Sequence, residues 1–144
     1  METNITTKSG RFFICTIQCT RRQDDGMEKK VKEQYLIRAD SFTEAEATAN
    51  EELFCDDLEV KDLTIAPFQE LFLSKGDRYY KVKVNILTLD EASNKMKKHP
   101  VCYLVQASST KEAQRTADEA LGATMQDYTI ESIIETKILD IIGE

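Results

Sequence analysis

Two segments of the chain alternate apolar and polar residues with a period of two, which is typical of half-buried β-strands. Each segment is followed by a run of turn-forming residues, Gln23–Gly26 and Asp90–Asn94, and then by a second apolar stretch. The pattern therefore predicts two β-hairpins. The residues predicted to face a core are Phe13, Cys15, Ile17 and Cys19 in the first segment and Tyr80, Val82, Val84 and Ile86 in the second.

Two helices are predicted from their start signals. Ser41 is followed three residues later by Glu44, and Ser109 by Glu112, which is the spacing of a capping box. Behind each cap, small apolar residues form a narrow stripe that lets a helix approach a sheet closely. Gly122 is the predicted end of the second helix. The stripes consist of Ala45, Ala49 and Leu53, and of Ala113, Ala117, Ala120 and Leu121.

The order strand, turn, strand, helix, strand occurs twice, and the segment from Arg11 resembles the segment from Arg78. This pattern predicts a tandem duplication with repeats at about residues 10–73 and 77–142, after a polar extension over residues 1–9. Each repeat is small, so we expect one domain in which the copies pack across a pseudo-two-fold axis. The predicted fold class is α+β, a duplicated strand-strand-helix-strand unit with antiparallel sheets and one helix per repeat.

The closing strand of each repeat is predicted to be long. In the second repeat, Ile130, Ile134 and Ile138 are spaced as one face of a strand. In the first repeat, Pro67 predicts a bend or an edge position, because proline has no N–H for a central ladder.

The charge is distributed unevenly along the 144 residues, which carry 19 basic and 26 acidic side chains. A net charge of −7 argues against general nucleic-acid binding, which depends on accumulated Lys and Arg. Residues 10–70 contain 8 basic and 14 acidic groups, whereas residues 71–144 contain 10 and 11. The charge therefore argues against nucleic-acid binding only for the first half of the chain. The N-terminal residues resemble neither a secretory signal nor a membrane anchor, so we expect a cytoplasmic protein.

Five sequence segments resemble an uncharacterised domain family of Bacteroidetes, their mobile elements and their phages, including crAss-like phages. The resemblance extends from about Arg11 to Ile142 and implies a bacterial or phage-encoded cytoplasmic protein. It implies no activity. The segments are the Phe12-Phe13 opening strand, Ser41–Ala47, Leu104–Ala107, Thr124–Tyr128 and Leu139–Ile141.

The sequence offers no catalytic constellation, so we predict no enzymatic activity, no cofactor and no metal. A nucleophilic side chain needs a base beside it. The one histidine of the sequence, His99, is interpreted as a solvated surface residue and not as such a base. The Asp56-Asp57-Glu59 cluster lacks the glycine and the alternating oxygens of a calcium loop and is interpreted as a solvated face. The four cysteines have no CxxC spacing and are predicted to be buried reduced thiols. Cys15 and Cys19 share one strand face about 13 Å apart, too far for a disulfide.

The strand faces opposite the predicted core carry aromatic and cationic residues. The leading hypothesis is a non-enzymatic module that binds a protein partner or self-associates. The alternative is binding of single-stranded nucleic acid or a nucleotide, by ring stacking and charge on an exposed sheet face. The candidate residues are Arg11, Phe12, Arg78, Tyr79, Lys81 and Lys83, and convergence of Lys81 and Lys83 with Lys95, Lys97 and Lys98 would favour a neutral or anionic partner.

Overall fold

The computed structural model describes residues 5–143, which form nine strands and two helices. The chain is an α+β protein consisting mostly of strands, as the sequence pattern predicts. In chain order the elements are β1 (Thr6–Lys8), β2 (Phe12–Arg22), β3 (Glu28–Arg38), α1 (Phe42–Glu52), β4 (Glu59–Ile65), β5 (Phe68–Leu73), β6 (Arg78–Asp90), β7 (Lys95–Ala107), α2 (Thr110–Gly122), β8 (Asp127–Glu135) and β9 (Ile138–Ile142).

These elements belong to two compact units, each with one sheet and one helix. The first unit, Gly10–Ala66 with residues 137–143, contains α1 and a four-stranded sheet in the order β4-β2-β3-β9. The second unit, residues 5–9 with Pro67–Thr136, contains α2 and a five-stranded sheet in the order β1-β5-β7-β6-β8. Both predicted hairpins are confirmed, because β2 pairs with β3 and β6 pairs with β7 in antiparallel register.

Two short strands do not join the sheet of the strand that precedes them. β5 follows β4 but pairs in parallel with β7 of the second unit, and β9 follows β8 but pairs in parallel with β3 of the first. Both sheets are therefore mixed, and the expectation of antiparallel sheets is wrong.

The predicted long closing strands are also wrong, because each is interrupted and continues in the other unit's sheet. Pro67 lies in the break between β4 and β5, where its missing N–H leaves no ladder bond unmade. Ile130 and Ile134 belong to β8, whereas Ile138 belongs to β9. Alternation alone cannot reveal such a change, because strands on both sides of a break carry the same period.

The core of the first unit lies between α1 and one face of its sheet. Phe13, Cys15 and Ile17 are at most 1% exposed, which confirms the predicted inward face of β2. Ala45 and Ala49 of α1 belong to the same cluster and are fully buried. Because protein interiors are close-packed, the small alanine side chains set how closely the helix approaches the strands.

The core of the second unit is built in the same way beneath α2. Tyr80 and Val82 of β6 face the helix, as predicted, and Ala113 and Ala117 of α2 are fully buried against that face. The helix ends at Gly122, also as predicted.

Both helices begin at the predicted serine caps. Ser41 Oγ accepts a hydrogen bond from the Glu44 N–H at 3.1 Å, and Ser109 Oγ accepts one from the Glu112 N–H at 3.2 Å. Each glutamate carboxylate accepts a bond in return from the N–H one residue before the serine, at 3.2 Å and 3.1 Å. Amide groups at each helix start are thereby satisfied by side chains.

Candidate interaction surface

The aromatic rings predicted to bind a ligand lie on the sheet faces away from the helices, but both are buried. Phe12 is 4% exposed and Tyr79 is 7% exposed. Leu36 and Leu104 lie on the same faces and are fully buried as well. The prediction that these rings are exposed for stacking is therefore wrong. A strand period of two does not show whether the second face of a sheet is covered, so the pattern of the opening strands could not predict this burial.

Of the four candidate cationic residues, Arg11, Arg78 and Lys83 contact neighbouring polar groups. Arg11 is exposed, and its guanidinium donates to the Asp40 carbonyl at 2.9 Å. Arg78 Nη1 lies 3.3 Å from Glu135 Oε1. The pKa of Arg78 is raised by a hydrogen bond with Tyr80 and by the charge of Glu135.

Lys81 and Lys83 are half-buried on β6, and Lys83 Nζ lies 3.2 Å from Glu131 Oε2. Arg78 and Lys83 therefore both meet carboxylates of β8. Arg11 and Phe12 belong to the first unit, and the other four candidate residues belong to the second.

The five lysines whose convergence would favour a neutral or anionic partner do not share one strand face. Lys83 is opposite Cys102 in the β6–β7 register, and Lys98 lies four residues before Cys102, so Lys98 shares the face of Lys83. Lys97 points to the other face, and its Nζ lies 3.2 Å from Asp90 Oδ2. Alternation thus divides the lysines into Lys81, Lys83 and Lys98 on one face and Lys95 and Lys97 on the other.

β8 forms one outer edge of the second unit's sheet. In the part of the chain that the structure describes, β8 pairs only with β6 and ends the sheet. The Thr136 N–H donates to the Tyr79 carbonyl at 2.8 Å. Successive N–H groups of a strand alternate in direction, so the amide of Glu135 points outward from the sheet. Ile134, next to it, is 59% exposed.

The first unit has a similar edge at β4. The Ala66 N–H donates to the Phe12 carbonyl at 2.9 Å, which directs the Ile65 amide outward, and Ile65 is 61% exposed. Both edges contain a register irregularity, between Thr16 and Ile17 opposite β4 and between Lys83 and Val84 opposite β8. The sequence gives no direct signal for these edges, because edge position depends on the sheet order.

An open cleft of about 730 Å³ lies in the first unit beside the loop that follows α1. Asp57 Oδ1 accepts a hydrogen bond from the Thr20 N–H at 3.0 Å, and Oδ2 accepts one from the Thr20 hydroxyl at 2.6 Å. These bonds hold the pKa of the Asp57 carboxyl well below its usual range. Phe54, in the same loop, lines the cleft and is 88% exposed.

The four cysteines differ in burial. Cys15 and Cys19 are buried, as predicted, but Cys55 and Cys102 are only half-buried, so the prediction is wrong for these two. Burial raises the pKa of Cys15 to about 11. Cys55 lines the cleft and packs against the core cluster that contains Cys19. The sequence could not predict this pair, because 36 positions separate the residues and a loop carries one of them.

The other candidate chemical groups lie on the surface. His99 is exposed, as predicted, and its Nε2 lies 2.8 Å from the Thr88 hydroxyl. Within residues 5–143, no group of three or more His, Cys, Asp and Glu side chains is arranged to hold a metal ion. Neither of the two described helices has the length and apolar character needed to cross a membrane.

Two mixed sheets, each with one helix, define the class of this molecule as an α+β protein. Residues 11–144 match the family described as Domain of unknown function (DUF4494). The chain therefore belongs to the DUF4494 family. No curated protein and no solved structure is significantly similar to it.

Proposed function

We propose that the protein is a non-enzymatic interaction module that binds a partner protein by taking an extended segment of it as an additional strand beside β8. The observation that carries this proposal is the outward direction of the Glu135 amide next to the exposed side chain of Ile134. An added strand gains main-chain hydrogen bonds at such an edge, and neighbouring apolar side chains supply specificity.

The charges of β8 support the same proposal. Proteins commonly protect edge strands with charged side chains, which resist pairing with another strand. Here Glu131 is paired with Lys83, and Glu135 is paired with Arg78. An incoming strand would therefore meet carboxylates that are already neutralised by cations of β6.

Binding of single-stranded nucleic acid or a nucleotide is the alternative function for the same strands. It requires exposed rings for stacking and cations that meet phosphates. Phe12 and Tyr79 are buried, and Arg78 and Lys83 are held in ion pairs. These observations favour a protein partner.

Substitution of Glu135 tests the proposal. Glu135→Pro removes the outward N–H together with the ion pair to Arg78, whereas the control Glu135→Gln removes only the charge. The three proteins, including the wild type, are immobilised and incubated with extract of the cells that produce the protein. We expect proteins retained by the wild type and by Glu135→Gln to decrease about tenfold on Glu135→Pro, which corresponds to about 1.4 kcal/mol.

Sedimentation velocity and thermal unfolding complete this experiment. Self-association that Glu135→Pro abolishes and Glu135→Gln preserves supports the edge, with a second copy of the chain as the partner. Equal retention by all three folded proteins contradicts the proposal. Saturable, salt-dependent binding of labelled single-stranded RNA or DNA that Lys83→Glu weakens also contradicts it and favours the alternative.

We further propose that the two units derive from a tandem repeat and that the protein acts in the cytoplasm of a bacterium, or of the host of a phage that encodes it. The serine caps, the alanine-lined helices and the edge irregularities occur at corresponding positions of the two units. The bacterial and phage context follows from the family resemblance described above. A survey of which genomes encode close relatives tests this context, and relatives found mainly outside bacteria and phages contradict it.

A further inference from the structure

The loop after α1 is fastened to β2 directly beside a buried thiol. Asp57 accepts both hydrogen bonds from Thr20, which is the residue after Cys19. Cys55 Sγ lies 3.1 Å from Asp57 Oδ1 and 3.9 Å from the Thr20 carbonyl oxygen. These contacts place Cys55 beside Cys19, and Cys55 packs against the core cluster that contains Cys19.

We propose that Cys19 and Cys55 are a dithiol that a small-molecule disulfide, such as oxidised glutathione, converts to an intramolecular disulfide. Neighbouring thiols at these two positions need side-chain rotation and a small loop movement to reach an S–S bond of about 2.05 Å. Cys15 cannot replace either residue, because it lies four residues from Cys19 along the same strand.

The reaction proceeds by two thiol–disulfide exchanges. The Cys55 thiolate attacks one sulfur of the small disulfide, and a mixed disulfide forms while one small thiol leaves. The Cys19 thiolate then attacks Cys55 Sγ, forms the intramolecular bond and releases the second small thiol. The two protein thiols lose two electrons and two protons, and the small disulfide gains them as two thiols.

Exposure determines the order of the two steps. Cys55 is half-buried and lines the cleft, so a small disulfide can reach it. Cys19 is 1% exposed, and burial and the neighbouring Cys55 thiol raise its pKa to about 11. Cys19 is therefore slow to attack an external molecule and acts second, on a sulfur that is already beside it.

The cleft also supplies a cation and a carboxylate that influence the thiols in opposite directions. Arg21 interacts electrostatically with both cysteines, and its Nη2 lies 3.0 Å from Glu33 Oε1. The cation favours the Cys19 thiolate, whereas the Glu33 carboxylate favours the thiol by accepting a hydrogen bond from Cys19. We therefore expect slow oxidation that accelerates as the pH rises.

Peptide mapping of the native full-length protein after incubation in glutathione buffers of increasing oxidised fraction tests the dithiol. We expect a Cys19–Cys55 cross-link, with loss of two hydrogen atoms, in the wild type and in the control variant Cys102→Ser. Cys19→Ser should retain one glutathione on Cys55, and Cys55→Ser should lose the cross-link and leave Cys19 unmodified. Fragment spectra must distinguish Cys15 from Cys19, because no Lys or Arg separates them.

Three outcomes overturn the proposal. They are a persistent mixed disulfide on Cys55 in the folded wild type, a cross-link that forms only after the protein has been unfolded, and a cross-link that joins other cysteines. Circular dichroism of each variant before oxidation establishes that it is folded. If Cys55→Ser does not fold, alkylation of Cys55 by iodoacetamide in the folded wild type provides the second test and should block the cross-link.

Discussion

The loop that follows the helix differs between the two units. The helices themselves begin with the same serine cap, and both bury alanine side chains. In the first unit, Asp57 fastens the loop to Thr20 of the opening strand. In the second unit, the Thr124 hydroxyl of the loop donates to the Leu121 carbonyl of the helix at 2.6 Å, and Met125 is 92% exposed. The contacts of the loops thus differ between the units, whereas the helix caps and the alanine stripes correspond. Differences confined to loops are expected, because loops tolerate change better than the elements that they connect.

The units also differ in charge. Residues 10–66 and 137–144 contain 9 basic and 15 acidic groups, a net charge of −6, whereas the remaining residues contain 10 and 11, a net charge of −1. The uneven balance along the sequence therefore persists when the chain is divided by its folded units. An anionic partner would be repelled mainly by the first unit.

Removal of β9 should have the largest effect and would show how far the units depend on exchanged strands. In a chain that ends at Thr136, β3 loses its pairing with β9. The first unit also loses the buried side chain of Ile138 and the half-buried side chains of Ile141 and Ile142. We expect the first unit to lose about 3–6 kcal/mol of stability. Hydrogen exchange should show lost protection in β3 and retained protection in β7. Removal of Glu144 alone is the control. Equal loss of protection in β3 and β7 would contradict the expectation that only the first unit depends on β9.

Enlarging one alanine beneath each helix should have the next largest effect and compares the two cores directly. Ala49 and Ala117 are both fully buried, so Ala49→Leu and Ala117→Leu force additional volume into close-packed interiors. Each should cost about 1–3 kcal/mol in urea unfolding. Ala47→Leu, on the exposed face of α1, is the matched control and should change stability little. A cost at only one of the two buried sites would show that the helix–sheet interfaces differ.

The serine caps should contribute smaller and similar amounts. Ser41→Ala and Ser109→Ala each leave one helix-start amide without its side-chain acceptor. We expect each substitution to lower the free energy of unfolding by about 1 kcal/mol. Ser41→Asp and Ser109→Asp keep an acceptor and should be close to neutral. If one alanine variant is neutral and the other is not, the caps are not equivalent.

The sequence predicted those features that depend on neighbouring residues in the chain. Alternation located the inward faces of β2 and β6, and the Ser41 and Ser109 signals located both helix starts. Each of these features arises from a local period or a local hydrogen bond, so a short segment contains the information.

Features that depend on distant partners could not be predicted. A strand period of two does not specify the sheet that a strand joins, so the exchange of β5 and β9 was not foreseen. For the same reason Phe12 and Tyr79 were expected to be exposed although they are buried. The edge of β8 and the contact of Cys55 with Cys19 likewise depend on topology.

The acid titration of Asp57 should show the smallest effect and would sharpen the comparison of the loops. Hydrogen bonds from Thr20 lower the pKa of Asp57 in the folded protein, so its contribution to stability is complete above the unfolded pKa of about 3.9. That contribution is lost as the pH falls through the lower, folded value.

Thr20→Val removes the hydroxyl donor and keeps the amide, so the pKa of Asp57 should rise towards its usual value in a carbon-13 carboxyl NMR titration. Stability measured by urea unfolding should then fall less steeply with acid than in the wild type. Thr129→Val in β8 is the control and should leave the Asp57 titration unchanged. An identical Asp57 titration in Thr20→Val and the wild type would show that the hydroxyl does not stabilise the carboxylate. In that case the hydrogen bond from the Thr20 N–H to Asp57 would alone fasten the loop. The contrast between the two loops would then depend on the backbone rather than on the side chain of Thr20.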